Sequence, residues 1–159
     1  MVALVNRSGT ANPATLFTVC STPSGYIAQQ IETEYASAED IRDLNGDGRL
    51  EIIANSEFGK VSGAYCEPWP DVYSWSPKGF KPNSRDFLQT YYIPIYLPKI
   101  AARIKRAEEM LEVSRIAKTD TDEVRLQKKR VFDLAADILA ECQEAISRIA
   151  ALAKESKSP

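Results

Sequence analysis

The rhythm of apolar and polar positions changes once along this chain, near residue 97. Before it, apolar residues come in short runs bounded by Pro, Gly, Ser and Asn, the pattern of strands and turns. Thr15-Leu-Phe-Thr-Val-Cys20 is β-branched and aromatic, Thr22-Pro-Ser-Gly25 supplies a turn, and Tyr26-Ile-Ala-Gln-Gln-Ile-Glu32 follows, which predicts a hairpin. Ala38-Glu-Asp-Ile-Arg-Asp43 leads into a polar, Gly-rich loop. Leu50-Glu-Ile-Ile-Ala54 is then short, apolar and bounded by turn residues, as a buried strand should be. Asp71-Val-Tyr-Ser-Trp75, with Ser-Pro-Lys-Gly79 and Phe80 after it, predicts a second hairpin. It offers Val72 and Ser74 to one face and Tyr73 and Trp75 to the other, so an aromatic face is expected over a small core.

After residue 97 the period lengthens. Pro98 suits the first turn of a helix, where its missing N–H costs nothing. Ile100, Ile104, Ala107, Met110 or Leu111, and Val113 or Ser114 recur at steps of three and four, predicting one apolar face on a helix that ends near Lys118. Thr119 to Asp122 breaks it, and either Asp120 with Glu123 or Thr119 with Asp122 resembles the cap of a second helix running to about Glu155. On that helix Val131, Ala135, Ile138, Cys142, Ala145, Ile149 and Leu152 alternate steps of four and three, with Leu134, Leu139 and Ile146 widening the stripe. So short a connection folds the two helices into an antiparallel hairpin with facing stripes. The basic stretch Arg125 to Arg130 is expected on a solvated face. The fold class is therefore α+β: a small antiparallel β-meander over 1–96, packed with a helical hairpin over 97–159.

Composition sharpens the division. The 159 residues are 44% hydrophobic and 26% charged, which suits one domain or two small ones. Residues 1–96 hold 7 basic and 11 acidic side chains and every glycine, whereas residues 97–159 hold 13 basic and 11 acidic and no glycine. A net charge of -2 gives no electrostatic reason to expect nucleic acid as a partner. With no histidine at all, Ser-His-Asp and Cys-His nucleophilic sites, histidine zinc sites and histidine general bases are excluded together. No apolar run reaches membrane-spanning length, and Met1 to Arg7 lacks the basic leader and long apolar stretch of a secretion signal. Cys20, Cys66 and Cys142 lack paired metal or redox spacing. They read as buried thiols, with a Cys20–Cys66 bridge as the alternative.

One segment carries strong chemistry. Asp43-Leu-Asn-Gly-Asp-Gly-Arg-Leu-Glu51 places oxygen-bearing side chains at positions 1, 3, 5 and 9 of a tight loop. Ca2+ takes six to eight oxygens, so Asp43, Asn45, Asp47 and Glu51 are its expected side-chain ligands and Arg49 offers its main-chain carbonyl. Gly46 and Gly48 give the positive-φ freedom such a wrap needs. An EF-hand would need its bidentate Glu at position 12, which is Ala54, and a helix after the loop. Glu51 instead begins a strand, so the ion would brace a β-turn rather than move a helix pair.

At these residues the chain resembles the FG-GAP/VCBS-type calcium-binding repeat. The likeness rests on Asp43-Leu-Asn-Gly-Asp-Gly-Arg-Leu-Glu-Ile-Ile53 and, more loosely, on Val72-Tyr-Ser-Trp75 with Gly79-Phe80, and it covers roughly residues 15 to 80. The resemblance implies a propeller-blade-like meander with Asp43, Asn45, Asp47 and Glu51 as side-chain ligands and Arg49 as the carbonyl ligand. A single calcium loop is one blade, not a propeller, and leaves the helical hairpin to cover its faces.

Other constellations have plainer accounts. Glu32, Glu34, Glu39 and Asp40 read as an acidic approach to a cation site. Trp69, Tyr73, Trp75, Phe80, Phe87, Tyr91, Tyr92 and Tyr96 read as core and hinge rather than as a carbohydrate or peptide groove. The sequence thus points to a calcium-stabilised, non-catalytic binding or assembly module outside the cytoplasm, its protein partner or second copy meeting the helical hairpin. Two other classes stand beside it. One is a metal-dependent hydrolase or lyase using the carboxylates. The other is a helical oligomerisation scaffold, whose assembly would be lost on charging Ile138 and Ile149.

Overall fold

The computed structural model describes residues 2–6, 14–33, 41–56 and 69–155. The chain forms two compact units: the described residues up to 90 make the first, and residues 91–155 the second. Strands fill the first unit and helices the second, which establishes the α+β class.

The first unit holds two antiparallel sheets, both meanders. One consists of β1 (Val2–Asn6), β2 (Ala14–Thr22) and β3 (Gly25–Thr33) in that order. The other consists of β4 (Ile41–Arg42), β5 (Glu51–Ser56), β6 (Trp69–Ser76) and β7 (Gly79–Pro82). Both expected hairpins form, β2–β3 around Pro23-Ser24 and β6–β7 around Pro77-Lys78. β1 is a strand the sequence pattern did not announce; it pairs with β2 over its whole length, Val2 opposite Val19 and Asn6 opposite Thr15.

The core of this unit lies between the sheets. Cys20 and Ile31 of the first sheet are buried with Ile52, Ala54 and Phe80 of the second, and Ile41, Tyr73 and Trp75 pack against them. The aromatic face of β6 thus covers a small core, with Trp75 edge-on to Phe80 at 5.4 Å between ring centroids. The other face of the second sheet is buried too, at Ile53 and Val72. Gln29 ties the sheets together: its side-chain amide donates to the Phe80 carbonyl (2.8 Å) and accepts from the Phe80 N–H (2.6 Å). A side chain thereby supplies the edge strand β7 with the paired hydrogen bonds of one more strand residue.

A short 3-10 turn, Ser84–Phe87, leads into a π-helical stretch, Leu88–Tyr96, which runs on into α1 (Leu97–Val113). Pro94 lies inside the π stretch. It has no N–H to donate, and in a regular α-helix its ring would crowd the carbonyl four residues back; the wider turn accommodates it. Tyr92 is buried and meets Tyr91 and Tyr96 edge-on at 5.3 and 6.2 Å. The aromatic-rich stretch therefore serves as core.

α1 pairs with α2 (Asp122–Glu155) as the expected antiparallel hairpin: Lys128 reaches Arg115, just past the end of α1, while Glu141 faces Arg103 at 3.6 Å, further back along it. Ala135, Ile138, Cys142, Ala145 and Ile149 are buried, so the four-and-three stripe is the seam. Charging Ile138 or Ile149 would test folding of the hairpin rather than assembly. α1 stops at Val113, short of the expected Lys118, because the buried Ser114 hydroxyl donates to the Leu111 carbonyl (2.8 Å) and ends the last turn. The N-cap of α2 is neither Asp120 nor Thr119. Thr121 caps it, its hydroxyl accepting from the Val124 N–H (3.4 Å).

The connecting turn is held by two residues expected on a solvated face. Lys128 donates to the Asp120 carboxylate and the Arg115 carbonyl, both at 2.9 Å, and Arg125 donates to the Lys118 carbonyl at 3.3 Å. Cys20 and Cys142 are buried thiols; Cys66 lies outside the described residues. Among the described residues, no helix is long and apolar enough to cross a membrane.

Candidate metal centre

The loop from Asp43 to Leu50 joins β4 to β5, and both flanking strands fix its ends: Ile41 pairs with Ile52, and Arg42 with Glu51. Its side chains bond inward to their own main chain. The Asp43 carboxylate accepts from the N–H groups of Gly46 (2.7 Å) and Gly48 (2.9 Å). Asn45 Oδ1 accepts from the Asp47 N–H (3.0 Å), and Asp47 Oδ1 from the Arg49 N–H (2.8 Å). At the base, Glu51 Oε2 accepts from the Leu44 N–H (2.8 Å). All four residues expected to supply side-chain ligands thus organise one loop, each through a short Asx-type or closing bond.

Gly46 and Gly48 make the wrap possible. Their φ angles are +77° and +80°, in the left-handed region, and a Cβ on either would meet nothing within 4 Å. The requirement is therefore conformational, not spatial: an L-residue there costs about 1–2 kcal/mol of backbone strain.

The carboxylates sit in different surroundings. Asp43, Asn45, Asp47 and Arg49 are exposed, whereas Glu51 is only 2% exposed. Hydrogen bonds from Gly48 and then Gly46 hold the Asp43 carboxyl below the usual aspartate range, against a smaller opposing effect of desolvation. Glu51 shifts the other way. Burial pushes its pKa up, the Leu44 N–H partly offsets this, and the negative charges of Asp47 and Asp43 push it up further. A buried carboxylate beside two others is destabilised in its ionised form, and a cation in the loop would relieve it.

The donor set is all oxygen: two aspartates, an amide, a glutamate and the main-chain carbonyl of Arg49. Such hard donors suit Ca2+ and not a thiophilic or imidazole-preferring metal. Each carboxylate oxygen has more than one lone pair, so accepting an N–H does not exhaust it. Among the described residues, no group of three or more His, Cys, Asp or Glu is gathered closely enough to hold a metal by itself. Binding here therefore calls on Asn45 and the Arg49 carbonyl as well as the acids. Glu34, Glu39, Asp40 and the side chain of Glu32 lie outside the described residues.

Sequence spacing pointed to the loop as a unit. The closing bond from Leu44 to Glu51 and the depth of Glu51 were not legible, because both depend on how β4 and β5 pair. The chain matches no family model, no curated protein and no solved structure.

Proposed function

We propose that the protein is a non-catalytic binding or assembly module whose first unit is braced by Ca2+ at Asp43, Asn45, Asp47, the Arg49 carbonyl and Glu51. The observation that carries this reading is the buried Glu51 carboxylate at the base of a loop whose other acids add like charge beside it. Ca2+ would neutralise that charge and pin β4 to β5 through a turn too polar to hold itself by apolar packing. Its role is structural, because the loop links two strands and moves no helix. Such an ion is best supplied outside the cytoplasm, where millimolar calcium fills sites of modest affinity.

Differential scanning calorimetry with calcium and with EDTA tests the proposal. A ligand that binds only the folded state stabilises it by about 2.7 kcal/mol at one hundred times its Kd. The expected result is a melting temperature raised by calcium in the native chain and unmoved in Asp47→Ala, a substitution at an exposed position. Identical melting curves in calcium and EDTA would rule the reading out.

A further inference from the structure

The helical hairpin has a second apolar face. α1 and α2 bury one stripe each, Ile100, Ala107 and Ser114 on α1 and Ala135, Ile138, Cys142, Ala145 and Ile149 on α2. Another stripe runs beside each of these. On α1 it is Leu97, Ala101, Ile104, Glu108 and Leu111, and on α2 it is Phe132, Ala136, Leu139, Gln143, Ile146 and Ala150, both stepping by four and three. In both, large apolar residues alternate with small or polar ones. The large ones are only partly covered: Phe132 and Ile146 are 51% and 41% exposed, while Leu97, Ile104, Leu111 and Leu139 are half-buried. The small and polar ones, Ala101, Glu108, Ala136, Gln143 and Ala150, are all exposed. Between Val131 and Ala153 the charges of α2 fall elsewhere, on a stripe of their own formed by Asp133, Asp137, Glu141, Glu144 and Arg148.

These two outer stripes lie on the same side of the hairpin. Arg103 and Glu141 meet at 3.6 Å and so mark the other side. On α1, Arg103 and Ile104 stand three and four residues past Ile100 and therefore flank the buried stripe on opposite sides. On α2, Glu141 stands one residue before Cys142 and Ile146 four after it, with the same result. The contacts of Glu141 with Arg103 and of Lys128 with Arg115 also fix heights along the pair. Leu97 lies level with Ile146, Ile104 with Leu139 and Leu111 with Phe132, each to within a residue. The face is thus three rows of large side chains with small ones between. From the helical rise and diameter its flat projection is about 500 Å², and a corrugated surface of that size approaches the roughly 800 Å² per partner that a stable interface covers.

We infer that this face is a homodimer interface, closed by a second copy of the chain turned end for end to make an antiparallel four-helix bundle. What selects a second copy is that the face fits itself. After a half-turn about an axis crossing both helices, the large residues at its centre meet small or polar ones. On α2, Leu139 meets Ala136 of the second copy and Phe132 meets Gln143; on α1, Leu111 meets Ala101 and Ile104 meets Glu108. At the ends, Leu97 and Ile146 meet the aliphatic stems of Arg115 and Lys129. A two-fold axis along the helices would instead stack large rows on large rows. One crossing axis serves both helices, because the midpoint of Ala136 and Leu139 is level with the midpoint of Ile104 and Glu108. A face shaped for an unrelated protein has no reason to meet that condition. Charge agrees with it. The same half-turn sets Glu108 of each copy beside the exposed Lys105 of the other, a reciprocal pair at the middle of the interface that fixes its register. The inference rests on the assembly side of the proposed function and uses none of its calcium side.

Sedimentation equilibrium of the full chain, in calcium and in EDTA, is the test. At concentrations up to about 500 µM the native chain is expected to give the mass of two chains in both buffers. Ala136 is exposed and Arg is a good helix former, so Ala136→Arg should keep the native far-UV circular dichroism while holding Leu139 of the second copy away, and is expected to sediment as a monomer. Lys105→Glu and Glu108→Lys, both at exposed positions, should each weaken association by about tenfold or more, and the two together should return it to within about threefold of native. A native chain that is monomeric at about 500 µM overturns the inference. So does a dimer that Ala136→Arg leaves intact, or one that the double charge swap fails to restore. A dimer in both buffers, beside melting curves that calcium leaves unmoved, would support this interface and remove the metal reading alone; a monomer whose melting temperature calcium raises would do the reverse.

Discussion

Gln29 and Glu51 show most directly how single residues carry this fold. Gln29 makes two hydrogen bonds with the main chain of Phe80, and Gly79 is the neighbour that leaves it room. Replacing Gln29 with Leu keeps the bulk but strands a part-buried donor and acceptor on β7. The expected loss is about 1–3 kcal/mol in urea denaturation, and Gly79→Ala should cost at least as much because it adds backbone strain to the same clash. Glu51 sets a sign rather than a size. Its pKa is raised by folding, so without calcium its contribution to stability is fullest below the ordinary glutamate range of about 4.3 and is lost as pH rises through the higher folded value. Asp43, whose pKa is lowered, acts oppositely: its contribution is present above the ordinary aspartate range and disappears as pH falls through the lower folded value. In EDTA, Glu51→Gln should therefore lessen the loss of stability between pH 4 and pH 7, an expectation that follows from the direction of its shift alone. In calcium the same substitution should destabilise, since it removes a proposed ligand. Urea titrations across that pH range in the two buffers check both.

Among the elements, those with a periodic signal were legible and those created by pairing were not. The Pro-Gly turns gave both hairpins, and the α2 stripe gave the seam residue by residue. β1 was missed because the apolar run from Met1 to Val5 is short and has no alternation of its own, and it is pairing with β2 that makes it a strand. The π-helical stretch was missed because no side-chain period announces i→i+5 bonding; Pro94 amid buried tyrosines was the one local clue. The basic stretch on α2 is exposed as expected except at Lys128, which is half-buried; charge alone does not reveal that Lys128 reaches two oxygens of the preceding turn. Lys128→Met should accordingly destabilise the second unit while leaving the β ladder of the first intact, whereas Lys129→Met, one residue further on, should be within about 0.5 kcal/mol of native. Ile138→Ala in the seam should cost about 2–5 kcal/mol. Far-UV circular dichroism followed during denaturation, with an amide-exchange map to separate the units, measures all three.

At the scale of the molecule, the sequence's change of rhythm near residue 97 reflects two ways of burying apolar surface, one sheet on another and one helix on another. Their dependence on calcium should differ, because every expected ligand lies in the first unit. Hydrogen exchange followed by mass spectrometry reads this directly. Calcium should slow exchange at the loop amides that the carboxylates hold, those of Leu44, Gly46, Gly48 and Arg49, and then along β5 and β6, whose ladder the loop anchors. Exchange along α2 should be the same in calcium and EDTA, since its seam contains none of those ligands. Protection gained equally in both units would mean that calcium acts on the chain as a whole, by charge screening or at some other place, and the turn between β4 and β5 would then be an ordinary polar connection.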